Sequence, residues 1–234
     1  VSGSASHYAL EDIADTDGRL TAHLDGLDIA RSWSGALLAS ALDTQGPGVL
    51  FVAAALALRA RKADGWDRLF ARALSQPHAQ DELLSAYGWS RREELQGIVA
   101  LTLRSDDPVR RRFALAVCAI HQVDPGLGSG RWVQDPGPGV RARALRAVGE
   151  LGVSEHVAAC IAAMDDDDQD CPFWGSWSAV LLGDRAGGLD ALASAGATDG
   201  PHRARAFRLA LQALQPAEGH AVLQRLARDP QQLR

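Results

Sequence analysis

Laid over itself at an offset of 31 residues, the second half of the chain matches. Val109, Val140, Cys171 and His202 fall in one column, and the segments after three of them agree. Residues 110–117 read RRRFALAV, 141–148 read RARALRAV and 203–210 read RARAFRLA. An apolar column, Val117, Val148, Ala179 and Ala210, keeps the same spacing. A unit of this length holds two helices and two turns, and such units stack into an α-solenoid rather than closing into a bundle. The repeat covers about residues 105–234 well and 48–104 loosely.

Composition agrees with a helical repeat. Alanine supplies 42 of 234 residues, leucine is abundant, and the strand-favouring Ile, Thr, Tyr and Phe are scarce, so the chain reads as all-α. Apolar spacing of three and four predicts helices over 16–26, 29–42, 48–61, 66–74, 79–87, 91–104, 108–121, 138–151, 154–163, 170–182, 186–195, 201–214 and 217–228. Ser90, Asp107 and Ser154 stand where N-caps belong, Pro108 follows a cap, and Gly183 stands where a helix should stop. The expected organisation is an N-terminal helical cap over 1–47 and one continuous solenoid over 48–234. Asp229-Pro230 sits where another unit would begin, so the natural chain is expected to continue beyond Arg234.

Several classes drop out. The most apolar stretch, residues 49–60, is about half a membrane span and contains Arg59. Cys118, Cys160 and Cys171 have no short spacing, which excludes a zinc site or disulfide framework and fits a reducing compartment. With no secretory leader at its start, the chain reads as cytoplasmic. Its formal net charge of −5 comes from residues 1–30, where six acids face Arg19 alone, while the remainder balances 23 against 23. Such a chain is a poor nucleic-acid binder, because phosphate neutralisation needs clustered positive charge, and Arg110, Arg111 and Arg112 spread round one helix. A basic protein partner fits better.

The search for catalytic chemistry finds no zinc-protease, phosphate-loop or nucleophile-elbow motif, and the expectation is no enzyme, no cofactor and no metal. Gly126, Gly128 and Gly130 follow no strand and read as a weakened second helix of one repeat. His7 and His23 read as hydrogen-bonded packing residues. The sharpest local feature is the run Asp165, Asp166, Asp167, Asp168 with Asp170 just beyond. It falls in a turn before a helix, where acids cap N-termini and favour the macrodipole. Arg110, Arg141 and Arg203 would reach to neighbouring turns as an Asp–Arg ladder. Five acids exceed that task, which leaves a partner-binding edge as a second reading and a divalent cation as a third. The run lacks the alternating spacing and distal Glu of a calcium loop. Trp174 and Trp177, at i and i+3, share one side of a helix and serve either as core or, with one indole exposed near the acids, as an interface anchor.

Asp107-Pro108-Val109-Arg110 and Pro138-Gly139-Val140-Arg141, each before an Ala- and Leu-rich helix, resemble the short HEAT-like repeats of bacterial proteins. That resemblance implies first helices lining a convex face and second helices a concave one. A narrower likeness rests on residues 7–14 (HYALEDIA), 19–27 (RLTAHLDGL) and 173–184 (FWGSWSAVLLGD). These are similar to a proteobacterial HEAT-repeat family encoded beside type VI secretion spike and toxin genes. The likeness implies an immunity protein that binds and neutralises an effector toxin, with an adaptor that loads the effector, or a generic repeat scaffold, as alternatives. An acidic inhibitor would suit a nuclease, whose phosphate-binding cleft is basic. The partner residues expected on this reading are Asp165, Asp166, Asp167, Asp168, Asp170, Trp174 and Trp177.

Overall fold

The computed structural model describes residues 9–44, 46, 48–61, 66–75, 78–197 and 200–213. Among them the chain is all-α, with thirteen helices and no strand. They are α1 (Leu10–Ile29), α2 (Arg31–Thr44), α3 (Val49–Arg59), α4 (Trp66–Leu74), α5 (Ala79–Trp89), α6 (Arg92–Leu95), α7 (Ile98–Leu103), α8 (Pro108–Ile120), α9 (Pro138–Leu151), α10 (Val157–Ala162), α11 (Asp170–Leu181), α12 (Ala186–Ala197) and α13 (Arg203–Ala213). The helix expected over 217–228, His7 and Asp229 lie outside the described residues.

The periodicity finds nearly every helix, and the departures have local causes. α1 begins at Leu10 rather than 16, because the Asp12 carboxylate accepts the Ala9 N–H at 2.9 Å and fixes an earlier start. The single helix expected over 91–104 is two, since Gly97 takes φ +85° between α6 and α7, a backbone state open to glycine. Ser90 does not cap α6. Its hydroxyl donates back to the Ala86 carbonyl at 2.9 Å and finishes α5, while Glu94 takes the Arg91 N–H at 3.0 Å. Ser154 opens a 3-10 turn over Ser154–His156 without a side-chain cap. Asp107 does cap, accepting the Val109 N–H at 2.9 Å, and Gly183 ends α11 at φ +101°.

The chain divides into two compact units, Val1–Ile98 and Val99–Arg234. The boundary expected at 47/48 falls inside the first, because α1 and α2 pack on α3. α3 is the hub there: Leu50, Ala53, Ala54, Ala55 and Leu58 are buried against Leu83, Ala86 and Tyr87 of α5 and Leu24 of α1. Each buried leucine contributes about 1.5–3 kcal/mol. Arg59 adds an ion pair to Asp25 at 2.7 Å.

In the second unit α9 packs between α8 and α11, and α11 also meets α10, α12 and α13. The core runs through Leu115, Leu127, Trp132, Val140, Leu145, Val148, Cys160, Cys171, Phe173, Leu192 and Ala206. Small residues set the helix spacing. A Cβ on Gly149 would stand 2.9 Å from the Ser178 Cα, and one on Gly175 would stand 2.5 Å from the Cys160 carbonyl oxygen. Ser178, fully buried, donates to the Leu145 carbonyl at 2.6 Å.

The expected Asp–Arg ladder is present on Arg141 and, in place of Arg110, on Arg111. Arg111 grips Asp135 with Nε at 3.0 Å and Nη2 at 2.9 Å, while its Nη1 donates to the Ser105 and Asp106 carbonyls. Arg141 repeats the pattern on Asp166 at 3.0 and 2.8 Å, with Nη1 on the Asp135 and Pro136 carbonyls. Arg110 instead pairs with Asp107 of its own turn at 3.7 Å, because α8 and α9 superpose on Pro108 and Pro138, one residue off the 31 spacing. α11 carries Pro172 where α9 carries Arg141. There the link is reversed, with His202 reaching back to Asp170 at 2.7 Å.

Two sets of substitutions test this packing. Gly175→Ala is expected to cost about 1–3 kcal/mol by forcing α11 from α10, whereas Gly18→Ala, on the open side of α1, gains about 0.5–1 kcal/mol, both measured by urea unfolding. Asp135→Ala, which strands a half-buried guanidinium, is expected to cost about 3 kcal/mol, against less than about 0.5 kcal/mol for Asp167→Ala.

Candidate functional site

The acidic turn is built from the chain's own donors. After the 3-10 turn Ala163–Asp165, Asp166 takes extended backbone, φ −70° and ψ 141°, and receives both the Arg141 fork and the Asp168 N–H at 2.9 Å. The Arg141 hydrogen bonds hold its carboxyl below the ordinary carboxylate value. Asp168 caps α11, accepting the N–H groups of Asp170 at 3.1 Å and Cys171 at 3.3 Å. Asp170 meets His202. Of the five acids, Asp165 and Asp167 are exposed and carry no side-chain hydrogen bond or ion pair among the described residues. The surplus of charge that suggested a cationic ligand therefore shrinks to two carboxylates. No cluster of three or more His, Cys, Asp or Glu among the described residues is arranged to hold a metal ion.

Trp174 is 8% exposed, so it packs rather than projects. Its indole meets Phe173 edge-on at 4.8 Å and Trp177 at 5.5 Å. Trp177 is half-buried and packs against the same core. Two guanidiniums lie over Trp174, Arg146 at 4.6 Å and Arg205 at 5.1 Å from the ring centre. Each such contact contributes about 0.5–2 kcal/mol and orients the arginine.

These arginines belong to a larger group. Arg143 and Arg146 share Glu150, at 2.8 and 2.7 Å, one on each carboxylate oxygen. The Arg143 side chain is only 10% exposed, and its Nη1 is buried with no hydrogen-bond partner among the described residues. Burial, together with like charge from Arg146 and Arg112, pushes its pKa down. Arg205 is pushed down by burial and by Arg146 and Arg208. Arg143, Arg146 and Arg205, from α9 and α13, thus gather about Glu150, with Arg146 and Arg205 over Trp174, Arg112 close enough to act on Arg143 and Arg208 on Arg205. Arg112, Arg205 and Arg208 are exposed.

The spacing that produces this face is present in the sequence. Arg143, Trp174 and Arg205 are 31 residues apart, as are Arg146, Trp177 and Arg208. Counting charge along the chain hides it, because acids at the turns cancel arginines that the fold separates from them. His23 also departs from expectation: it is exposed on α1 rather than packed. The glycine cluster is a packed loop. Asp124 accepts the Gly126 and Leu127 N–H groups, a 3-10 turn spans Leu127–Ser129, and buried Trp132 donates to the Pro125 carbonyl at 3.1 Å.

A cleft of about 320 Å³ opens beside Phe173, lined also by Met164, Ser176, Leu192, His202 and Arg203. The His202 ring stacks flat on Phe173 at 4.1 Å. Ser176 donates its hydroxyl to the Pro172 carbonyl at 2.7 Å and is thereby committed to the helix.

All three thiols are buried, and burial pushes Cys118 up to about 11 and Cys160 and Cys171 up to about 12. Thiolate is the reactive form. At pH 8 a thiol-exchange reagent is expected to leave the native protein unlabelled and to titrate three thiols after unfolding, and a native thiol that reacts at the free-cysteine rate contradicts this. Because the folded pKa values are raised, their contribution to stability is complete below about pH 8.5 and declines above it. Comparison with protein-family models, curated proteins and solved structures finds no match to the chain.

Proposed function

We propose that Val99–Arg234 is a short array of HEAT-like repeats, and that the chain acts by binding a protein rather than by catalysis. Its specific role on this reading is that of a cytoplasmic immunity protein neutralising a type VI secretion effector. The array reading is supported by the recurring brace: Arg111 to Asp135 and Arg141 to Asp166 tie successive turns with the same four bonds, as a stacked repeat requires. The binding reading rests chiefly on the Arg–Trp cluster of α9, α11 and α13, where Arg205 and Arg208 are exposed and Trp177 is part-buried. Arginine and tryptophan are the residue types that dominate the energetics of protein interfaces, and here they cluster on a rigid helical support. The partner surface moves accordingly from the acidic turn, most of which is used internally, to α9, α11 and α13. No helix among the described residues is long and apolar enough to cross a membrane.

Co-expression with the toxin encoded beside its gene is expected to rescue growth, and the two proteins are expected to co-purify. Equal killing with and without the protein removes the immunity role. Loss of effector secretion from a deletion strain that stays resistant to its neighbours would make the protein an adaptor instead.

A further inference from the structure

The apolar seam of α1 outruns the core it packs on. Leu10, Ile13, Asp17, Leu20, Leu24 and Leu27 recur at alternating spacings of three and four, which places them along one side of the helix. Leu24 is 1% exposed in the core of the first unit. Burial falls away toward the N-terminal end, where Ile13 and Leu20 are part-buried and Leu10 is 85% exposed. The same half is made of weak helix formers, with three aspartates, a threonine and a glycine over residues 12–18. Asp12 holds the Ala9 N–H at 2.9 Å, and early acids suit the macrodipole. Helices nevertheless draw most of their stability from packing an apolar face, and the described residues leave this one open around Leu10.

We propose that the N-terminal half of α1 docks a basic amphipathic helix of a partner protein, with Leu10, Ile13 and Leu20 against its apolar stripe and an arginine or lysine opposite Asp17. The alternating spacing selects a helix, because it is the seam by which two helices interlock. Charge selects a basic one. From Leu10 to Leu24 four acids, Glu11, Asp12, Asp15 and Asp17, stand against Arg19 alone. Asp17 lies within the seam itself, exposed and with no side-chain hydrogen bond or ion pair among the described residues. An acid at such a position is costly under an apolar surface and is satisfied by a cation across the seam. A second copy of α1 would bring like charges together, and an anionic membrane or nucleic acid would be repelled. Residues 1–8, VSGSASHY, hold no Lys or Arg with which to fill the role.

This surface lies on the first unit and adds to the Arg–Trp cluster of the second rather than depending on it. The probe is a fluorescein-labelled three-heptad peptide with Leu at both seam positions of each heptad, Lys on the flanks and one central seam Leu replaced by Arg. It is titrated with the full chain and followed by anisotropy. Saturable binding is expected, weakened by salt and reduced about tenfold or more by L10S/D17K, two exposed positions whose variant should keep the native circular dichroism. A peptide of the same composition with its heptads scrambled is expected to bind about tenfold or more weaker. Against D17K alone, exchanging the seam Arg for Glu should restore the lost affinity, and this exchange decides if L10S/D17K does not fold. Equal affinity for the scrambled peptide, no effect of L10S/D17K, or no restoration by the charge exchange overturns the proposal. A dimer of the full chain that L10S disperses in sedimentation also overturns it and makes the seam a contact between copies. Any of these failures leaves the immunity role standing, since co-expression tests that role without the peptide.

Discussion

Two arginines, one on α8 and one on α9, brace the second unit. The guanidinium of Arg111, and again that of Arg141, sends two parallel bonds to an aspartate of the following turn and two more to carbonyls of the turn before its own helix. A planar fork can do this and an ammonium cannot. The aspartate is oriented in turn by a backbone N–H, Gly137 for Asp135 and Asp168 for Asp166. Turn, helix and next turn are thereby fixed as one object, and the helices that follow inherit their direction from it. Packing then finishes what the brace begins, with Gly149 under Ser178 and Gly175 under Cys160 allowing contact distances that larger residues forbid.

Much of this is legible in the amino-acid sequence. Helix content and most boundaries follow from three- and four-residue spacing, and the existence of an Asp–Arg ladder follows from acids recurring before helices that begin with arginine. What escapes is of two kinds. Register inside a unit is off by one at α8, because Val109 and Val140 match as letters while Pro108 and Pro138 match as helix starts, so the brace sits on Arg111 and not on Arg110. Side-chain pairing across helices is the other. That Asp170 belongs to His202 is a fact about positions 32 residues apart, and on it depends how many acids the turn can use.

Charge shows the same limit. A chain with a formal net charge of −5 nevertheless gathers Arg143, Arg146 and Arg205 about Glu150, two of them over Trp174. Net charge describes what a distant partner feels, and local arrangement describes what a docked one meets. Glu150 keeps that face from being wholly cationic. By holding Arg143 and Arg146 in place it sets their geometry ahead of any encounter.

The two braces close loops of different length, 24 residues from Arg111 to Asp135 and 25 from Arg141 to Asp166. Their bonding is nevertheless the same. The extra residue lies in the helix, since α8 has 13 residues and α9 has 14, while the connections over 121–134 and 152–165 are equally long, an irregular loop with one 3-10 turn in the first case and a stretch containing α10 in the second. The brace thus fixes the turn before each arginine and leaves the conformation of the connection open, a loop in one case and a helix in the other. Sequence change between the end of a braced helix and the next aspartate can therefore remodel the surface there without disturbing how α8, α9 and α11 pack.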